Sequence, residues 1–247
     1  MRSLILTLCA LACFTQVRAQ DDSSAYTFYV GPYLAAKGSI KTSAAEGTKT
    51  GPAFNVPPDL GAQILAPIPG ASWLKFGVDV GLATYSYDTK PESNATDNNT
   101  LREQYQFINV FPHLNLYGVV LGVNIGMPSS AQAKSLSGNV ESAYGTVTTV
   151  GGMNIVLPDD PDAPGYDPSK YLASMLEFRI GGSIPLVTSS TGNLNLNIMA
   201  GYTLNGLFTN GRNYLGAYDN FTSYDETLNP RMASISLGVS YLFGINL

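Results

Sequence analysis

The chain has few of the residues on which the chemistry of soluble proteins usually depends. Its 247 residues include two cysteines, one histidine and one tryptophan, and only 13% are Asp, Glu, Lys or Arg, against about 25% in soluble domains. Cys9 and Cys13 both precede residue 20, so the rest of the chain can form neither a disulfide nor a cysteine-based metal site. It also lacks an apolar run of the about 20 residues that a membrane-spanning helix needs.

Residues 1–19 are predicted to be a cleaved secretory signal peptide. Arg2 gives a positive start, Leu4–Phe14 is a short apolar run, and Val17-Arg18-Ala19 precedes the expected cleavage point. Two alternatives stay open: an uncleaved amphipathic N-terminus, and lipid attachment at Cys13. The remaining domain, 20–247, is expected to be exported.

Without the leader the chain is acidic and rich in aromatic residues. Removal of two arginines leaves 11 basic residues against 18 acidic ones, a net charge of −7, and the sequence has 15 Tyr, 10 Phe and 25 Gly. A basic surface for nucleic acid is therefore absent. Low charge together with many aromatic residues and glycines suits a barrel whose outer face meets lipid.

The last segment of the chain has the clearest structural pattern. From Ala233 to Leu247 every odd position is apolar, and the even positions begin with Ser234, Ser236, Gly238 and Ser240. A helix would repeat its apolar positions every three or four residues, whereas a strand repeats them every two. The segment is therefore predicted to be a strand with one apolar and one small or polar face.

Seven further segments alternate in the same way, although Pro32 and Pro112 predict bulges or strand ends within two of them. These segments are 26–36, 60–66, 74–83, 108–116, 119–127, 176–184 and 194–205. In a transmembrane β-barrel the apolar face meets lipid and the polar face lines the interior. The sequence thus predicts an all-β, closed, antiparallel up-and-down transmembrane barrel of about eight strands, with ten possible.

The connections support this arrangement because long and short ones alternate along the chain. The long ones are predicted at 38–51, 88–103, 128–170 and 209–229. Outer-membrane barrels have short periplasmic turns and long extracellular loops, so these four are expected outside the cell. Within the third, Val147–Val156 surrounds Gly151-Gly152, a hairpin signal that would extend the loop or add two strands.

Ten aromatic residues are predicted to lie mostly near strand ends, as an aromatic girdle at the two membrane interfaces requires. They are Tyr85, Tyr87, Tyr105, Phe107, Tyr117, Tyr171, Tyr202, Phe208, Tyr241 and Phe243. The alternative is a soluble core with ordinary tyrosines.

These patterns resemble the small outer-membrane β-barrels of the OmpA and OmpX transmembrane type, and the generic outer-membrane β-barrel domain of Bacteroidota. The resemblance rests on the leader, on 114–127 around a two-residue turn, on 176–186 and on the terminal strand. It implies a location in the bacterial outer membrane. It also implies that the terminal strand is a signal to the barrel-insertion machinery, carried by Val239, Tyr241, Phe243, Ile245 and Leu247. The family usually ends in Phe or Trp, whereas this chain ends in Leu.

Six polar or charged residues are predicted to face the interior: Lys75, Asp79, Asn109, His113, Glu177 and Arg179. Because the interior of an eight-stranded barrel is filled by side chains, buried charges there must pair. We expect an ion-pair network in which Arg179 meets Asp79 or Glu177. The network would either rigidify a plugged barrel, which we favour, or line a gated polar pore.

The sequence predicts architecture better than activity. No serine is placed beside His113, the only histidine, and no nucleotide, phosphate or zinc motif occurs, so we expect no enzyme activity and no cofactor. Asp159, Asp160, Asp162 and Asp167 form an acidic group that could hold Ca²⁺, but without the spacing of an EF-hand.

We therefore predict a non-enzymatic protein that displays surface loops for envelope structure or for binding an external ligand or partner. Its other partners would be outer-membrane lipids and the insertion machinery, and no nucleic acid. The alternatives are a narrow pore or transporter for small or hydrophobic solutes and a lipid-modifying barrel enzyme. A soluble lipocalin-like barrel, with the apolar face inside, is the architectural rival.

Overall fold

The computed structural model describes residues 28–42, 44, 47–97, 100–136, 147–150, 153–156, 172–207 and 231–246. The predicted leader, the acidic group at 159–167, Tyr171, Phe208 and Leu247 lie outside these residues. The strands are β1 (Phe28–Lys41), β2 (Thr48–Phe54), β3 (Asp59–Ile68), β4 (Ala71–Pro91), β5 (Leu101–Leu116), β6 (Val119–Ser135), β7 (Val147–Val150), β8 (Met153–Val156), β9 (Met175–Thr188), β10 (Gly192–Thr203) and β11 (Met232–Ile245).

Nine of these strands form one closed antiparallel sheet. Each pairs with its neighbour in the order β11-β10-β9-β6-β5-β4, and β1 closes the ring by pairing with β11 from Phe28↔Ile245 to Lys41↔Met232. Between β1 and β4 lie β2 and β3, which together make one interrupted strand of the wall. The predicted barrel of eight strands is therefore confirmed. Strands β7 and β8 pair with each other in a separate sheet of two.

Short and long connections lie at opposite ends of the barrel. The short ones, at 69–70, 117–118 and 189–191, share one end with the first residue of β1 and the last residue of β11. Tyr117 and Gly118 both have positive φ, 52° and 86°, as the two central residues of a tight type I′ hairpin require. We call this the short-turn end and the opposite one the long-loop end.

The strands continue further toward the long-loop end than the sequence predicted. Strand β1 reaches Lys41, β4 reaches Pro91, and β6 reaches Ser135, so the predicted loops 38–51, 88–103 and 128–170 begin inside strands. The apolar outer face ends before the strands do, because the outward residues Thr84, Ser86 and Asp88 of β4 are polar while its inward face carries Tyr85 and Tyr87. Strands β9, β10 and β11 end earlier, so only part of the wall is extended.

The outer face of the barrel is apolar around the whole ring. Ile235 in β11 is 65% exposed, whereas Glu177, on the inner face of β9, is 0% exposed. Exposed apolar side chains of the belt come from β1, β3, β4, β5, β6, β9, β10 and β11: Leu34, Leu60, Ile64, Phe76, Val80, Leu82, Ile108, Leu114, Val123, Ile125, Met127, Leu176, Phe178, Ile180, Ile198, Leu237 and Val239. These are the residues that the alternation assigned to one face.

Four of the ten predicted girdle residues lie inside the barrel instead. Tyr85, Tyr87, Tyr105 and Phe107 are all buried in one cluster with Met175. The girdle interpretation was wrong for them because they share the odd parity of the inward positions on β4 and β5. Three others, Tyr117, Tyr202 and Phe243, are exposed as predicted.

No helix in the described part of the chain is long and apolar enough to cross a membrane.

Candidate functional site

A buried carboxylate, Glu177, is the centre of the interior network. Its Oε2 accepts hydrogen bonds from the Tyr85 hydroxyl at 2.5 Å, Arg179 Nε at 2.6 Å and Asn124 Nδ2 at 3.2 Å. Its Oε1 accepts a hydrogen bond from Ser234 Oγ at 2.8 Å. Four strands thus supply donors to one carboxylate, which compensates for the cost of removing it from water.

Arg179 lies beside this carboxylate and links it to the opposite wall. Besides its bond to Glu177, it donates from Nη2 to the Tyr85 hydroxyl at 2.7 Å. Its guanidinium also lies 5.2 Å from the centre of the Phe111 ring, a cation–π distance. Of the two predicted partners, Arg179 therefore pairs with Glu177. Both residues are in β9 at alternate positions, so they share its inner face.

A second buried ion pair joins β1 to the start of β3. Lys37 Nζ lies 2.7 Å from Asp59 Oδ2, and both side chains are buried. The ammonium also lies 3.6 Å from the centre of the Tyr85 ring. Asp59 Oδ1 accepts a hydrogen bond from the Thr84 main-chain N–H at 2.9 Å. Tyr85 therefore connects the two ion pairs, because it contacts Arg179 through its hydroxyl and Lys37 through its ring.

Side chains replace the main-chain ladder where β2 and β3 are separated. Asn55 donates from Nδ2 to the Thr84 carbonyl and accepts from Ser86 Oγ at 2.7 Å. Ser39 Oγ lies 2.8 Å from the Ser86 amide, which donates to it. The main-chain groups of β4 that face the interruption are thus satisfied, as buried backbone polar groups must be.

The remaining predicted interior residues do not join the Glu177 network as one group. His113 Nδ1 lies 3.1 Å from the Phe111 carbonyl oxygen and 3.8 Å from Asp79 Oδ1. Its ring stacks on Phe111 at 4.8 Å, and its Nε2 faces Gly77, where a Cβ atom would collide with the imidazole. Lys75 lies apart, with Nζ 5.3 Å from the centre of the Tyr29 ring.

Asn109 belongs to the network through one intermediate residue. Its Nδ2 donates to Asn124 Oδ1 at 3.1 Å, and Asn124 donates in turn to Glu177. The prediction placed six residues in one interior network. The structure connects three of them, Asn109, Glu177 and Arg179. Asp79 lies beside His113, and Lys75 lies apart from both groups.

Another polar layer lies closer to the long-loop end. Glu103 Oε2 accepts hydrogen bonds from the hydroxyls of Tyr105 at 2.6 Å and Tyr87 at 2.9 Å. Lys41 Nζ lies 5.2 Å from the Tyr87 ring centre. The interior therefore holds ionic and aromatic side chains through most of its length.

A small cavity lies in the described interior, on the short-turn side of Glu177. It measures about 50 Å³ and its lining includes Tyr33, Asp59, Asp79 and Arg179. Pockets for organic ligands have volumes of about 300–1,000 Å³, so this space suits a few water molecules at most. Toward the short-turn end, Tyr29, Leu65 and Leu242 form a buried apolar cluster in the interior.

Several members of the network were not predicted from the sequence. Lys37 and Asn55 fell in or near segments assigned to a loop or a strand end, and Tyr85 was assigned to the girdle. Parity was the available signal, since Lys37 and Tyr85 occupy inward positions of β1 and β4. Nothing in the alternation indicated that the strand between them would be interrupted.

Four residues of the predicted insertion signal, Val239, Tyr241, Phe243 and Ile245, lie along β11, and Leu247 lies outside the described residues. Val239 and Phe243 are exposed, Tyr241 and Ile245 are half-buried, and Tyr241 and Phe243 are in edge contact at 4.8 Å. This places them on the outer face.

Among known proteins, this chain is similar to several solved structures. No family model and no curated protein matches the sequence. Neisserial surface protein A is 12% identical, with 87% of this chain and 96% of that chain covered and a TM-score of 0.34. OprG from Pseudomonas aeruginosa is 9% identical, with 90% and 98% covered and a TM-score of 0.32. The translocator domain of the autotransporter NalP from Neisseria meningitidis is 10% identical, with 97% and 96% covered and a TM-score of 0.32. All three are outer-membrane β-barrel proteins.

Proposed function

We propose that this chain is an integral protein of the bacterial outer membrane. It would be a plugged, non-enzymatic barrel that displays its long connections outside the cell, for envelope structure or for binding an external ligand. The observation that supports this proposal is the distribution of side chains across the wall. Apolar residues such as Ile125 and Leu237 face outward on a closed ring, while Glu177, Arg179 and Lys37 face inward.

The height of the apolar belt suits an outer membrane. On β4 the outward positions are apolar from Leu74 to Leu82 and become polar at Thr84. Eight residue steps of about 3.3 Å give about 26 Å along the strand, or about 20 Å along the barrel axis for a tilt of about 40°. Known barrels have an apolar band about 25 Å tall. A closed ring also leaves no unpaired sheet edge, and side chains bond the β4 main chain at the interruption, as hydrocarbon requires.

A scaffold is favoured over a pore because side chains fill the interior at three levels. Tyr29 and Leu242 pack near the short-turn end, the Glu177 network occupies the middle, and Tyr87 and Tyr105 pack near the long-loop end. The cavity between them is too small for an organic solute. A narrow pore remains the second candidate, and the polar lining of that cavity is the observation that favours it.

A lipid-modifying enzyme is disfavoured by the surroundings of His113. A hydrolytic histidine needs a hydroxyl nucleophile at its free nitrogen. Here Nδ1 faces the Phe111 carbonyl, and no described residue forms a hydrogen bond with Nε2.

The proposed orientation places the short-turn end in the periplasm. The insertion machinery would then recognise the β11 strand, and an external ligand would meet the connections at the long-loop end. Lipids would cover the belt.

Surface labelling in a Gram-negative host tests both location and orientation. One variant would carry a short epitope in the connection 92–97, and a matched control would carry it at Gly70. We expect both proteins in the outer-membrane fraction, with only the first epitope bound by antibody on intact cells. Recovery in the soluble fraction, or binding at Gly70 alone, would overturn the proposal. Planar-bilayer recording of the pure protein separates a scaffold, which conducts no steady current, from a pore.

A further inference from the structure

The most exposed large apolar side chains of the described residues do not belong to the regular belt. Phe54 and Val56 are 80% and 70% exposed, and they flank the point where β2 and β3 are separated. Residues 54–58, Phe-Asn-Val-Pro-Pro, carry no charge. We call this segment the Phe54 knuckle.

The knuckle leaves the wall because β2 and β3 contain extra residues. Pro52 pairs with Tyr87 and Leu60 pairs with Leu82, so seven residues of the interrupted strand face only four of β4. The excess bends outward, as in an enlarged β-bulge. Ser39 and Ser86 come into direct contact behind it, and the outward residues Thr84 and Ser86 are buried.

Asn55, the polar residue of the knuckle, is hydrogen-bonded through its side chain and its main-chain N–H. The Asn55 side chain bonds Thr84, Ser86 and Ser39, and its main-chain N–H donates to the Lys37 carbonyl at 2.9 Å. Pro57 and Pro58 have no N–H to satisfy. The large side chains that the knuckle exposes, those of Phe54 and Val56, are therefore apolar.

The outer wall at this level is apolar on one side of the interruption and polar on the other. On one side, Phe54 pairs with Gly38, which pairs with the exposed Ile235. On the other side, Thr84 pairs with Gln106, which pairs with Ser130. The knuckle is thus continuous with the belt through β1 and β11, and it extends the belt beyond the level where β4, β5 and β6 become polar.

We propose that the Phe54 knuckle is a lipid-binding projection that inserts into the leaflet at the long-loop end. It would cover the buried hydroxyls of Thr84 and Ser86 against lipid and set the barrel at a tilt, with β1 and β2 deeper than β4 to β6. This inference rests on the proposed function, because it needs a lipid bilayer around the belt. The partner is the acyl chains of the bilayer.

Spin labels on single cysteines test the knuckle, since residues 20–247 contain no cysteine. Phe54→Cys and Val56→Cys would be labelled in phosphatidylcholine vesicles, and accessibility to oxygen would be compared with accessibility to a water-soluble nickel complex. Leu60→Cys is the matched control within the belt, and Lys49→Cys, exposed on β2, is the control beyond it. Phe54→Trp in a Trp73→Phe background, quenched by brominated lipids, gives an independent readout without a label.

We expect the labels at positions 54 and 56 to be more accessible to oxygen than to the nickel complex, like the label at position 60 and unlike the label at position 49. If the labels at positions 54 and 56 show the accessibility of the label at position 49, while the label at position 60 stays in lipid, the proposal about the knuckle is overturned and the proposed function stands. Dipolar broadening between labels at 54, with neither reagent reaching them, would overturn it in favour of contact with a second copy. Nickel access at position 60 would overturn both proposals.

Discussion

Replacing Glu177 with glutamine tests whether the interior network stabilises the barrel. The substitution keeps the size of the side chain and removes the charge that Arg179 Nε contacts at 2.6 Å. It also replaces one carboxylate oxygen by an amide NH2 among groups that donate to Glu177, namely Tyr85, Asn124 and Ser234, so at least one of these hydrogen bonds must be lost or reversed. Removing one partner of a buried ion pair costs about 3–5 kcal/mol, and we expect Glu177→Gln to lower the free energy of unfolding by about 3 kcal/mol.

The measurement is urea-induced unfolding in lipid vesicles, followed by the fluorescence of Trp73, the only tryptophan. Trp73 stacks on Tyr117 at the short-turn end, away from the substituted position, so the probe itself is unchanged. The free energy of unfolding follows from linear extrapolation to zero denaturant. The slope should stay the same if only stability has changed.

Two further variants distinguish the loss of the buried Glu177–Arg179 pair from a general effect of substitution on stability. Arg102→Met breaks the pair with Asp88, in which Arg102 is 31% exposed, and should cost about 0–1 kcal/mol. The double variant Glu177→Gln/Arg179→Met should lose less stability than the sum of its two single variants, because it leaves no isolated charge. The reasoning is refuted if Glu177→Gln costs no more than Arg102→Met, or if the two single effects are additive.

Three other outcomes follow from the same structure. Asp59→Ala should lower the free energy of unfolding by about 3 kcal/mol in the same assay, since it leaves the buried Lys37 ammonium without its carboxylate. A smaller loss than that of Arg102→Met would contradict the pairing of Lys37 with Asp59. Gly81→Ala should prevent refolding, because its Cβ would collide with the Leu60 carbonyl, whereas Gly182→Ala should refold, with its nearest atom at 3.9 Å; electrophoretic mobility before and after heating separates folded from unfolded barrels. Planar bilayers containing the pure protein should show no steady current, and large constant conductance would exclude a plugged interior.

Much of the fold could be predicted because the outer face is consistently apolar. In β11 the contrast between the apolar Ile235, Leu237 and Val239 and the small residues Ser236 and Gly238 between them defines both the strand and its orientation. The contrast disappears beyond the belt, where β4 continues through Thr84, Ser86 and Asp88, polar residues on the outward face. The sequence therefore predicted eight strands of the wall, ended several of them too early, and assigned the first part of β2 to a loop.

The network was harder to predict than the fold because its contacts lie across the barrel. Glu177 and Arg179 are two residues apart on the same face, so parity made Glu177 one of the two predicted partners of Arg179, beside Asp79. Tyr85 is 92 residues from Glu177, and its role depends on the stagger of the strands. The Lys37–Asp59 pair depends on an interruption in the wall that hydropathy does not report, although Pro57 and Pro58 mark its place.

The direction in which the two faces of each strand point is tested most directly by NMR in lipid nanodiscs. The account predicts magnetisation transfer from lipid acyl protons to the methyl groups of Ile125 and Leu237 and none to those of Leu65 and Val120, which face the interior. Transfer from acyl protons to Leu65 and Val120 with water contacts at Ile125 and Leu237, or a folded protein in water without lipid or detergent, would contradict it.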